Sequence, residues 1–230
     1  MFFDPMWLVF VGPALLLALY AQMKISSTYG KYSKVGNMRG ITGLQAAKSR
    51  LVSQGLNDVA IEGTAGQLTD HYAPRSKTLR LSQGVYDTPS VAALGIVAHE
   101  VGHAVQDHSG YLPLRFRSGL VPLANIGSTL SFILFILGLV VRQAGLIWLG
   151  VALFSMAVVF ALVTLPVELN ASRRARAMLA NTGLVSLQEM DATKAVLSAA
   201  ALTYVAALLQ SVGQLMYFVF AALGMGGRDE

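Results

Sequence analysis

Four stretches of this chain contain no Asp, Glu, Lys or Arg: residues 5–23, 118–141, 143–167 and 195–227. A bilayer core takes about 20 apolar residues of helix to cross, and each stretch supplies close to that or more. Charged residues make up only 13% of the chain, against about 25% in soluble domains. These features exclude a soluble enzyme, a disordered chain and a fibrous one, and point to a mainly α, four-span integral membrane protein. The first stretch lacks the basic flank of a signal peptide, since Asp4 is the only charge before Lys24, and it reads as a retained anchor.

Basic residues set the expected orientation. Eleven of the seventeen Lys and Arg lie between the first two spans, in residues 24–117. Arg142 stands alone between the second and third. Residues 168–194 carry Arg173, Arg174, Arg176 and Lys194, and Arg228, Asp229 and Glu230 form the tail. The positive-inside rule places the two long loops in the cytosol and both termini outside. The net charge of +5 is then met by anionic lipid rather than by nucleic acid. With no cysteine there is no disulfide, thiolate metal site or thiol nucleophile. The expected layout is an anchor at 1–23, a cytosolic catalytic region at 24–117, spans at 118–141, 143–167 and 195–227, and a cytosolic segment at 168–194.

The first loop reads as a compact α+β region. Thr42 opens an amphipathic helix (Leu44, Ala47, Leu51) that Gly55 closes. Strands are expected at 57–61, 66–72 and 78–81, with a turn at 73–77 between the last two. Ser90 caps a helix running to about Gln106. Ser186 and Glu189 have capping-box spacing and start a helix that feeds the last span. Within the spans, Gln210, Gly213 and Gln214 hint at a helix–helix contact.

His99-Glu100-Val101-Gly102-His103 is the chain's chemical signature. On a helix, side chains four apart share a face, so the imidazoles of His99 and His103 can hold one metal ion while Glu100 faces a water on that ion. Gly102 allows close packing. The longer pattern HExxHxxGxxH is excluded, because Gln106 and Ser109 occupy the positions of its Gly and last His. His108 is out of phase with His99 and reads as an exposed helix end. His71 is a possible ligand but fits better as a structural or substrate-side residue.

Glu168, following Pro166 at the end of the third span, is the better third ligand. Two spans separate it from His103, so both lie on one side of the membrane. Acids at a membrane edge tend to be functional, which favours the ligand over the alternative of a surface ion pair with the neighbouring arginines. Should Glu168 not serve, His71 and Glu189 are the next candidates.

Four blocks carry a family resemblance: Gly66-Gln-Leu-Thr-Asp-His-Tyr72, Leu79-Arg-Leu-Ser82, Ala98-His-Glu-Val-Gly-His-Ala-Val-Gln106 and Leu165-Pro-Val-Glu-Leu-Asn-Ala-Ser172. They resemble the bacterial neutral zinc metallopeptidase family of YugP-like membrane peptidases, and more distantly the HtpX-type membrane gluzincins. The resemblance implies Zn2+ held by His99, His103 and Glu168, with Glu100 as the base. It implies a small sheet beside the active-site helix, in a gluzincin-like catalytic region at the cytosolic membrane surface. One departure stands out. The distant relatives carry an acid four residues after the third ligand, and here that residue is Ser172, so its role is either missing or passes to Asn170 or an arginine.

With two His and one Glu, a fourth zinc position stays open for water, whose pKa zinc lowers towards about 7. Glu100 takes the proton as that water attacks a peptide carbonyl, then hands it to the leaving amine. An extended peptide substrate would pair with a sheet edge, for which residues 66–72 are the candidate. His71, Tyr72, Arg173 and Arg174 are candidates for oxyanion stabilisation. The expected function is a membrane-embedded zinc endopeptidase acting on membrane-proximal or misfolded proteins. Two rivals remain: a site-2-type intramembrane protease, and a non-enzymatic four-span scaffold or transporter with a structural metal. The apolar run before His99 is short and the spans hold almost no ionisable residues, which weighs against both.

Overall fold

The computed structural model describes residues 5–180 and 185–226. Asp4 and the charged tail Arg228, Asp229 and Glu230 lie outside the described residues. The chain is mainly helical: α1 (Pro5–Tyr32), α2 (Gly43–Ser53), β1 (Ala60–Thr64), β2 (His71–Ala73), β3 (Thr78–Ser82), α3 (Gln83–Tyr86), α4 (Val91–His108), α5 (Leu112–Val140), α6 (Ala144–Ala180) and α7 (Leu187–Gly226). Among the described residues four helices, α1, α5, α6 and α7, are long and apolar enough to cross a membrane. They outrun the charge-free stretches. α6 has 37 residues, about 55 Å at 1.5 Å per residue, against a hydrocarbon core of about 30 Å. It continues through Pro166, so Glu168 lies inside a helix rather than at its end.

Two compact units share these helices. One comprises residues 1–21, 115–166 and 203–230. Its core is aromatic: Phe135 stacks on Phe218 with ring centroids 3.9 Å apart, and Phe154 meets Phe218 edge-on. Large apolar side chains such as Leu16, Ile126 and Leu223 point outward, as they do from a surface solvated by lipid. The expected contact near Gln214 is present. Its Oε1 accepts from Trp7 Nε1 at 3.1 Å, and a Cβ on Gly213 would stand 2.3 Å from the Phe10 carbonyl oxygen, so only glycine lets α7 and α1 approach there.

The other unit comprises residues 22–114 and 167–202. α2 forms as expected, with Thr42 and Gln45 in a reciprocal capping box. β3 is the central strand of a three-stranded sheet, parallel to β1 and antiparallel to β2. Its pattern, buried at four of five positions, reflects that placement. Two strand boundaries need correction. Residues 57–59 are not strand: Asn57 and Asp58 form a turn, and ladder pairing starts where Ala60 N–H donates to Lys77 O. Residues 66–70 are loop rather than strand, with Gly66 and Leu68 at positive φ. Asp70 ends that loop by accepting from the backbone N–H and hydroxyl of Ser82. The hydrophobic core gathers Ala47 and Leu51 of α2, Leu79 and Leu81 of β3 and most of α4's apolar face.

Candidate metal centre

α4 is the spine of the site. Ser90 caps it by accepting from Ala93 N–H, and fourteen of its eighteen residues are buried. Such enclosure demands partners for every polar side chain it carries. Its contact with α6 is close at Gly102, where a Cβ would lie 2.8 Å from the Ala171 carbonyl oxygen. That approach brings residues 99, 103 and 106 of α4 against residues 167–172 of α6.

His99, His103 and Glu168 converge so that one ligand atom from each lies within 4.8 Å of the others. Nε2 of His99 is 3.2 Å, and Nε2 of His103 3.4 Å, from Glu168 Oε2. Ligands bound tetrahedrally at about 2.0–2.1 Å stand about 3.3 Å apart, so this spacing fits a zinc-sized ion. The two rings meet edge to face with centroids 4.8 Å apart, which lets both Nε2 atoms aim at one point. Glu168 is 2% exposed, and a carboxylate so enclosed requires a cation or strong donors beside it.

Each imidazole is held at its other nitrogen. His99 Nδ1 lies 3.1 Å from Ser172 Oγ, and His103 Nδ1 lies 2.9 Å from Gln106 Oε1. Metal-binding histidines are oriented this way, by a partner on the nitrogen that does not face the ion. Burial pushes the His103 imidazole towards its neutral form, and the Glu168 and Glu100 carboxylates more than offset this, so it titrates above its ordinary value. A proton and a divalent cation compete for the same attraction.

Glu100 is buried beside the rings, and its Oε2 accepts from the backbone N–H of Tyr72 at 3.0 Å. Burial lifts its carboxyl above the ordinary range, with the Glu168 charge adding and the two histidines opposing. The same tyrosine reaches Asp107 through its hydroxyl at 2.9 Å, so β2 is fastened to α4 at two points. β2 is an edge strand, as the expected substrate edge requires, but only 71–73 of the expected 66–72 are extended.

The other candidates from sequence fall elsewhere. His108 is exposed, as expected. His71 is exposed with Nδ1 on Thr69 O at 2.8 Å, outside the ligand cluster. Glu189 closes a cap at Ser186 and accepts from Met38 N–H at 2.7 Å, which engages both its oxygens structurally. Arg173 is exposed, while Arg174 Nε donates to Asn170 Oδ1 at 2.9 Å. The position of the relatives' acid is not idle, since Ser172 itself contacts His99. Gln106, read from sequence only as excluding the longer pattern, sets its amide oxygen against His103. Its spacing of three from His103 on one helix face was the available signal.

The chain matches the family model described as "Putative neutral zinc metallopeptidase" over residues 7–223. It is 45% identical to the "Putative membrane protease YugP" of Bacillus subtilis (strain 168) over 217 residues, 94% of this chain and 96% of that protein. No solved structure matches it. At that identity over nearly the whole of both chains, and with a family match of almost equal extent, this protein belongs to the neutral zinc metallopeptidase family.

Proposed function

We propose that this chain is a membrane-embedded zinc-dependent endopeptidase, with His99, His103 and Glu168 holding the ion and Glu100 moving the proton. The observation that carries the reading is the convergence of two imidazole Nε2 atoms on a buried carboxylate oxygen at tetrahedral spacing. Zinc bound there supplies Lewis acidity towards a peptide carbonyl and a water molecule. Glu100 accepts the proton of the attacking water and returns it to the departing amine. Burial raises its pKa, which makes the carboxylate a stronger proton acceptor. The Tyr72 N–H keeps that carboxylate oriented beside the ligands. An extended substrate segment lies along the β2 edge, where its backbone finds hydrogen-bond partners. We place the site on the cytosolic side from the Lys and Arg distribution, with membrane-proximal or misfolded polypeptides as substrates.

Detergent-purified protein is expected to carry about one zinc per chain, and Glu168→Ala to lose most of it. Glu100→Gln is expected to keep the metal and lose peptide hydrolysis by at least about 100-fold, the lower end of a general base's contribution. Zinc content by elemental analysis and cleavage of an unfolded reporter protein check both. A folded wild type without metal, or a Glu100→Gln protein that still cleaves, overturns the reading.

A further inference from the structure

The donors and acceptors around the Gln106 amide admit one assignment. Val167 O can only accept, and it lies 2.8 Å from one end of the Gln106 amide, so that end is the nitrogen Nε2. The same nitrogen has its second acceptor in Asn170 Oδ1 at 3.0 Å. Asn170 is itself oriented by Arg174, whose Nε can only donate and stands 2.9 Å from that same Oδ1. Both protons of the Gln106 amide are thus spent on α6, and Oε1 is the end left for His103. His103 Nδ1, 2.9 Å from this oxygen, must therefore be the donor. A neutral imidazole with its proton on Nδ1 has a bare Nε2; Glu168 Oε2 competes for that proton at Nε2, but from 3.4 Å against 2.9 Å for Gln106 Oε1 at Nδ1.

We infer that Gln106 is a positioning residue that selects the Nδ1–H tautomer of His103, its own amide being held in the required sense from α6 by Val167 O, Asn170 and Arg174. The two histidines differ in this respect. Ser172 Oγ, the partner of His99, is a hydroxyl that donates or accepts equally well, so it imposes no tautomer. Gln106 Oε1 leaves no such freedom. The amide is fully buried at 0% exposure, so water does not compete for it. A flip of Gln106 would set its nitrogen against His103 and its oxygen against two acceptors on α6, which makes the arrangement self-correcting.

This inference deepens the metal-site reading but is read separately from it, because the tautomer exists in metal-free protein. Nitrogen-15 NMR of metal-free protein with labelled histidine, at a pH where the imidazole is neutral, distinguishes the tautomers. His103→Gln supplies the assignment. Wild-type His103 is expected in the Nδ1–H form. Gln106→Met removes the acceptor and is expected to give a mixture of tautomers and to weaken zinc, measured by chelator competition, by about 10–100-fold. Gln106→Glu loses the donors to α6 yet keeps an acceptor for Nδ1, so it is expected to retain the tautomer. A residue that merely ties α4 to α6 would behave in the opposite way, with Glu at least as damaging as Met. An Nε2–H form in the wild type overturns the inference without any variant having to fold. An unchanged tautomer in Gln106→Met, or a lost one in Gln106→Glu, does the same. Zinc missing from the wild type would sink the peptidase reading and leave the tautomer to be judged by the same spectra.

Discussion

Ser172 is where residue chemistry departs most from the wider resemblance. A hydroxyl 3.1 Å from His99 Nδ1 orients the ring, but it holds the ring less firmly than an acid and adds no negative charge. Ser172→Ala leaves Nδ1 without its partner and is expected to weaken zinc binding about 10-fold, while Ser172→Asp supplies a fixed acceptor and tightens it. Chelator competition on the two variants checks the order, and equal affinities would show that Ser172 does not orient the ligand. His99, Glu100 and His103 were legible because a helix carries residues four apart on one face, whatever surrounds it. For Glu168 the even number of spans separating it from His103 allowed the pairing, and the family resemblance singled it out. Ser172 was not legible, since its partner depends on which faces of α4 and α6 meet, and neither was the grip of α6 on the Gln106 amide.

At the scale of elements, the contact between α4 and α6 sets the geometry of the centre. Gly102 permits it, with the Ala171 carbonyl oxygen in the space a β-carbon would fill. Backbone cannot move aside as a flexible side chain can, so Gly102→Ala is expected to cost about 1–3 kcal/mol and to lower zinc affinity as the ligands separate. Thermal unfolding in detergent, with and without zinc, checks this; unchanged stability would mean that α6 gives way freely. The capped helices were predictable from local signals: Thr42, Ser90, and Ser186 with Glu189 all cap where expected. The strands were less so. β1 begins only where Lys77 O receives Ala60 N–H, and β2 shortens because Asp70 turns to Ser82. Both boundaries are set by partners distant in sequence, which no local pattern reveals.

For the whole molecule, the absence of cysteine offers a direct test of orientation. Single cysteines at Lys48 and Arg75, in the first long loop, are expected to resist a membrane-impermeant thiol reagent in intact cells. A cysteine at Gln143, between the second and third spans, is expected to react. The reverse pattern would put the proposed catalytic region outside the cell. The sequence by itself determined the four apolar helices, because burying charge in lipid is costly enough for composition alone to mark each span. It likewise determined the His–Glu–His face of α4, a consequence of helical periodicity. Only the tertiary structure decided that Glu168 closes the cluster from within a continuous helix, that Ser172 meets the His99 ring, and that α6 fixes the Gln106 amide. Those choices depend on how α4 and α6 rotate and approach, which packing around Gly102 settles and no spacing along a single chain encodes.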